Sequence, residues 1–247
     1  MSTDLITTLQ LDKEQLNQVI LAREINGCDS SFIISCLLGH QIKNNTPTLF
    51  ITAHNTLLHY HNVGYKMIYN LKRCVDTQLI TYYNLGEDVV NNLLNNKQIN
   101  LEDIFLLIKE KASSIMKKKN SLHIVFDGVS HLFDLQYSLR SIVIFVRKLI
   151  DLVRLCNDSF LFLQCNVAGD DDQTQVLGNF ISHMAQTTVD VVNLPTGLSA
   201  DISGHLVIKD SGQKFNREFM HLMDSKPSTY HFKLFDRGVK LFAPGVV

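Results

Sequence analysis

Glu24-Ile25-Asn26-Gly27-Cys28-Asp29-Ser30-Ser31 separates a short β-rich run at residues 18–23 from a segment at 30–43. That segment carries Phe32, Ile33, Ile34, Cys36, Leu37, Leu38 and Ile42 around nearly its whole circumference. A strand, a tight turn and a deeply packed helix, in that order, are the frame of a phosphate-binding P-loop, whose turn reads G-x-x-x-x-G-K-[ST]. Glycines there let backbone N–H groups approach phosphate, the lysine supplies charge, and the final hydroxyl holds magnesium. Here Glu24 and Asp29 stand where the glycines belong, Ser30 replaces the lysine, and only Ser31 matches. Two carboxylates beside a triphosphate turn an anion site into one that repels anions. The turn is therefore expected to join strand to helix, capped by Asp29 or Ser30 and eased by Gly27, without binding ATP.

Outward from this turn, short apolar runs alternate with helix-period segments, the pattern of βαβ units around a mainly parallel sheet. Strands are expected at residues 18–23, 48–52, 78–83, 122–126, 160–165 and 189–192. Ile124-Val125-Phe126 and Phe160-Leu161-Phe162-Leu163 do not alternate, so they suit central strands covered on both faces. Leu57, Tyr60, Val63, Met67 and Leu71 recur at helical spacing, as do Ile104, Leu107, Ile108, Ala112 and Ile115, which predicts two amphipathic crossover helices. Residues 139–155 predict another helix, and Val176, Phe180 and Met184 a shorter one after Gly169-Asp170-Asp171-Asp172. Past Leu194 strands dominate, at 204–208, 230–235 and 239–242, and the last two flank Asp236-Arg237-Gly238 as an antiparallel hairpin. A mainly parallel α/β sheet flanked by helices and finished by an antiparallel hairpin is a RecA-like arrangement, here with degenerate Walker motifs.

The 247 residues contain no Pro-rich, Gly/Ser-rich or charge-block linker, so a single domain over residues 1–247 is expected. Hydrophobic residues make up 45% and charged ones 19%, enough apolar surface to offset chain entropy. Lys plus Arg total 23 against 24 Asp plus Glu, which gives no strong overall field for phosphate. The five cysteines, Cys28, Cys36, Cys74, Cys156 and Cys165, are widely spaced and mostly within apolar runs, which reads as reduced core cysteine. Asp4 stands where a secretory signal needs basic charge, and residues 30–42 are too short and too polar to cross a bilayer, so neither export nor a membrane span is expected.

Other chemistry is sparse. The strand ending Leu122-His123-Ile124-Val125-Phe126-Asp127 has the form of a magnesium-positioning Walker B strand, yet Asp127-Gly128 is also an ordinary way to end a strand in a turn. His59 and His61 would project about 200° apart on a helix, so His54, His59 and His61 cannot share one metal ion. No G-x-S-x-G elbow marks a nucleophile. Lys117-Lys118-Lys119 reads as a solvated helix end, and Asp170-Asp171-Asp172 lacks the remaining ligands of a calcium loop. No catalytic residue, cofactor or metal is expected.

Read together, the degenerate turn, Leu57-Leu58-His59-Tyr60-His61-Asn62-Val63-Gly64-Tyr65-Lys66, Leu194-Pro195-Thr196-Gly197, Asp201-Ile202-Ser203-Gly204-His205-Leu206 and the tail from Tyr230-His231-Phe232-Lys233 to Leu241-Phe242-Ala243-Pro244-Gly245 resemble the Elongator complex protein 6 family over nearly the whole chain. The resemblance implies a RecA-like fold without Walker motifs, and the reduced core cysteines point to a cytoplasmic location, with the nucleus as a second compartment. It implies two copies in a heterohexameric ring with two each of Elongator subunits four and five, attached to the catalytic core, binding tRNA and supporting modification of the wobble uridine. The ring is described as an ATPase in that family, and Glu24, Asp29 and Ser30 argue against a nucleotide site built from this chain's own turn. In such a ring Lys209, Lys214 and Arg217, clustered after the strand ending at Ile208, are candidates for contacts across an interface or with RNA. The alternative is a recombinase-like paralogue that uses the same fold in DNA-repair assemblies; wobble modification lost on depletion, or damage sensitivity with normal tRNA, separates the two.

Overall fold

A computed structural model of the chain describes residues 3–11, 18–97, 99–117, 121–169, 172–194, 197, 201–210 and 226–243. Its elements begin α1 (Thr3–Thr8), β1 (Gln18–Ile25), α2 (Ser31–Lys43), β2 (Thr48–Thr52), α3 (Leu57–Lys66), α4 (Leu71–Asp76) and β3 (Ile80–Asn84). They continue α5 (Leu85–Leu94), α6 (Leu101–Met116), β4 (His123–Asp127), a 3-10 turn (Val129–Leu132), α7 (Leu139–Arg154), β5 (Phe160–Val167) and α8 (Gln173–Met184). The chain closes with β6 (Thr187–Val192), β7 (Gly204–Asp210), β8 (Ser228–Phe235) and β9 (Gly238–Phe242).

Among the described residues nine strands form one sheet in the order β3-β2-β4-β5-β1-β6-β7-β8-β9. Strands β1 to β6 pair in parallel, and β7, β8 and β9 continue the sheet antiparallel, which is the RecA-like α/β arrangement. The non-alternating runs behave as their composition requires: all of β2 is buried, as are Ile124 to Asp127 of β4 and Phe160 to Cys165 of β5. One face of the sheet packs Leu21, Ile51, Phe126 and Leu163 against α5, α6, α7 and α8. The other packs Ile20, Phe50, Val125 and Phe162 against α1 to α4. Each fully buried Leu, Ile or Phe in these layers contributes about 1.5–3 kcal/mol of transfer free energy.

Most helices start where a short polar side chain can take up an unpaired N–H. Thr56, Asn70, Asn84, Asn100, Ser138 and Asp172 accept from the backbone at the starts of α3, α4, α5, α6, α7 and α8. Asp172 thus caps α8, while Asp170, Asp171, Lys118, Lys119, Pro195, Thr196, Pro244 and Gly245 lie outside the described residues.

The helix expected to run through Leu57, Tyr60, Val63, Met67 and Leu71 is two helices. The backbone turns at Ile68, φ 69°, and the Tyr69 ring enters a gap left by Gly64 and Gly39. A Cβ on Gly64 would lie 2.4 Å from that ring, so the missing side chain makes the break. The Tyr69 hydroxyl donates to the Ser35 carbonyl at 2.9 Å, and Asn70 caps the next helix. Helix α5 has no counterpart in the periodicity reading, because its two buried anchors, Leu85 and Val89, sit among asparagines.

Candidate functional site

In the sheet order β1 lies between β5 and β6, with β4 and β2 beyond β5, and the carboxyl ends of these strands form the crevice where α/β sheets of this kind take ligands. Helix α2 points its N-terminus into that crevice, and its first N–H groups have no partner within the helix. The chain supplies those partners itself. Ser30 N–H donates to Glu24 Oε1 at 2.6 Å, and Gln164 Nε2, from β5, donates to the same oxygen. Ser31 N–H donates to Asp29 Oδ1 at 2.7 Å, and Ser31 Oγ donates to Asp29 Oδ2 at 3.0 Å. Asn26 and Gly27, at φ 53° and 74°, fold the turn back so that these carboxylates reach the helix end.

Asp29 therefore caps α2. Ser30 holds the N-cap position, but its hydroxyl makes no capping bond, so of the two alternatives Asp29 supplies the side-chain cap. The residues at the P-loop glycine positions supply their own partners to the helix end. Glu24, 8% exposed, puts a carboxylate on the helix N–H groups that a phosphate would otherwise engage.

Asp127, at the end of β4, is completely buried. Its Oδ2 accepts from Asn55 N–H at 2.8 Å, and its backbone carbonyl accepts from Ala53 N–H at 2.9 Å. The residue in the Walker B position thus ties down the loop between β2 and α3. Burial pushes its carboxyl up to about 7; the Asn55 N–H and the Tyr60 hydroxyl oppose this, and the Glu24 and Asp29 charges add to it. Gly128 follows at φ 80° and lets His54 stack on His131 with ring centroids 4.0 Å apart. Burial first, and then the His131 charge, lower the His54 pKa. His131 Nδ1 meets Asp134 Oδ2 at 2.8 Å.

Cys28, in the same turn, is pushed up to about 11, chiefly by burial and further by Asp29 and Glu24, so its thiol stays protonated at neutral pH. The other three expected residues of interest fall elsewhere. Lys209, on β7, lies 3.6 Å from Asp190 Oδ2, beside the bidentate pair that Arg23 makes with Asp190 at 2.6 and 2.7 Å. Lys214 and Arg217 lie outside the described residues. His54, His59 and His61 part company: His54 stacks on His131, whereas His59 packs edge-on to Tyr60 at 5.0 Å and His61 lies beside Tyr65. Among the described residues no group of three or more His, Cys, Asp or Glu side chains can hold a metal ion.

The structure thus brings together Glu24, Asp29, Ser30, Ser31 and, through their shared field, Asp127. It adds Gln164, Asn55 and Tyr60, which sequence reasoning passed over. A polar Gln164 directly after the apolar run Phe160-Leu161-Phe162-Leu163 and before Cys165 was the available signal for one of them. The other two pair across chain separations of 72 residues and by ring burial, which no local pattern reports.

Fold and crevice together define a class: a RecA-like α/β domain whose nucleotide turn is satisfied by its own carboxylates. A family model described as "Elongation complex protein 6" matches residues 3–236. A curated Drosophila melanogaster protein, "Elongator complex protein 6", is 24% identical over 258 residues, covering 100% of this chain and 98% of its own length. The chain belongs to the Elongation complex protein 6 family. Among the described residues no helix is long and apolar enough to cross a membrane.

Proposed function

We propose that this chain is a non-catalytic subunit of an Elongator complex. It joins Elongator subunits four and five, two copies of each, in a heterohexameric ring that binds tRNA and supports wobble-uridine (U34) modification by the catalytic core. Family membership supports the assembly role. The observation that carries the non-catalytic part is the helix end occupied by Glu24 and Asp29, which leaves the turn without a phosphate grip. The core supplies the wobble chemistry, so this chain contributes shape and contacts. It works in the cytoplasm, with the nucleus as a second compartment. Lys209, Lys214 and Arg217 are assigned to a neighbouring subunit or to RNA, and unchanged assembly and tRNA affinity after replacing all three would remove that assignment.

The test is co-expression with Elongator subunits four and five from the same source, followed by mass measurement of the purified complex. A heterohexamer with two copies of this chain is expected. A chain that purifies alone, without either subunit, overturns the reading.

A further inference from the structure

Among the described residues, the non-glycine positions at positive φ are all Asn, Gln or Asp except one, Ile68 at φ 69°. A β-branched side chain crowds its own backbone in that region, which makes Ile68 an outlier. The end of α3 explains the conformation but not the residue. Tyr69 N–H donates to the Gly64 carbonyl at 2.9 Å, and Ile68 N–H donates to the Tyr65 carbonyl at 3.2 Å. This pair of bonds is a Schellman motif, whose left-handed position ordinarily holds glycine. Ile68 gains no burial in return, since it stays 77% exposed. Backbone strain of this kind concentrates where a side chain is held ready for use.

The surroundings of Ile68 share one character. Tyr65 is 72% exposed, and Leu58, also exposed, lies two helical turns before it on the same side of α3. The base of the turn is fixed, because the Tyr69 ring fills the gap at Gly64 and Gly39 and its hydroxyl donates to the Ser35 carbonyl. Lys66 ends α3, and Lys72 and Arg73 begin α4; all three are exposed, and no ion pair among the described residues engages them. From Ser31 to Gln78 the chain carries these three cations and Lys43 against one acid, Asp76, although its formal net charge is −1. An apolar projection with a basic rim complements an apolar pocket with an acidic one. Leu58 and Ile68 are aliphatic, so they gain by leaving water against other apolar atoms, which a protein pocket supplies and a phosphate backbone does not.

We infer that the turn between α3 and α4 is a docking knob. Tyr65 and Ile68 enter an apolar pocket on another protein chain, while Lys66, Lys72 and Arg73 meet Asp and Glu side chains on its rim. That this partner is a neighbouring subunit of the ring rests on the role proposed above; the strain, exposure and charge of the knob are independent of it.

The test is co-expression of full-length variants with Elongator subunits four and five, with mass measurement of the product and its dissociation followed on dilution. Ile68→Gly lifts a left-handed penalty larger than the chain entropy glycine adds, so the Tm of this chain should rise by about 2–4 °C. The same variant should weaken the complex by about 30-fold or more. Ile68→Asn, which tolerates the left-handed region, should weaken the complex likewise while staying folded. Lys66→Glu with Lys72→Glu should slow association and remove most of its salt dependence between about 0.05 and about 0.5 M. A more stable chain that assembles less well cannot be explained by misfolding. Parental assembly of Ile68→Gly, or a fall in its Tm, overturns the assignment. Variants that assemble normally but lose affinity for nucleic acid also overturn it, and give the face to a phosphate backbone instead. If the variants and wild type assemble alike, the knob falls and the ring reading stands; if wild type itself fails to assemble, the ring reading falls and takes this partner with it.

Discussion

Replacing Asp127 by asparagine isolates the most perturbed carboxyl in the crevice. In the folded chain its pKa is raised from 3.8 to about 7, with burial the main cause, while the unfolded chain keeps the ordinary value. Between those two values the folded state therefore holds a proton that the unfolded state has released. Stability from this group is fully present below the unfolded value and is lost as pH rises through the folded one. Three units at about 1.4 kcal/mol each make the full range about 4 kcal/mol. Roughly half of it, about 2 kcal/mol, falls between about pH 8 and about pH 5.5, where the folded group goes from mostly ionised to mostly protonated. Asp127→Asn keeps the shape and the acceptor for Asn55 N–H but cannot ionise. Urea unfolding of both proteins at the two pH values gives a double difference from which groups common to both, His54 among them, largely cancel. Wild type should gain about 2 kcal/mol more than the variant on acidification, equivalent to about 4–8 °C in Tm for a chain of this length. The variant should be the more stable of the two at about pH 8. Parallel pH profiles, or a variant weaker than wild type at both values, would refute the burial argument.

Glu24→Ala removes the oxygen that accepts from both Ser30 N–H and Gln164, and should cost about 2–3 kcal/mol in urea unfolding, with Glu24→Gln recovering part of it. The intact chain should show no saturable ATP binding by calorimetry up to millimolar concentration, because Glu24 and Asp29 already occupy the α2 N–H groups; micromolar affinity would contradict the charge argument. Gly128→Ala puts a Cβ 2.6 Å from His54 Cβ and 2.9 Å from His131 Cδ2 at φ 80°, and should lower stability by about 2–4 kcal/mol, read as a fall in Tm. Asp190→Ala leaves the Arg23 guanidinium, 15% exposed, without its bidentate partner, and should destabilise by about 2–3 kcal/mol, with little change on replacing the more exposed Lys209.

Much of the fold was legible because it rests on local periodicity. The non-alternating runs at Ile124 and Phe160 required burial on both faces, and their strands lie in the middle of the sheet. The hairpin around Asp236 and Arg237 followed from a turn glycine between two alternating runs, and Gly238 does adopt a positive φ, 144°. Elements that depended on distant partners were not legible. The break between α3 and α4 needs the Tyr69 ring to find Gly64 and Gly39, and α5 needs the sheet to supply burial for two apolar anchors among asparagines.

The candidate site divides along the same line. Residue types alone set the expectation that Glu24, Asp29 and Ser30 do not build a phosphate cradle, since charge and the absence of glycine and lysine are properties of the chain at any conformation. Tertiary structure decided what those residues do instead. Hydrogen bonding to Ser30 N–H and Gln164 and the burial that raises the Asp127 pKa both depend on strand register and on partners remote in sequence. Solvent exclusion and cross-strand pairing arise only when those strands align, so no local pattern encodes them.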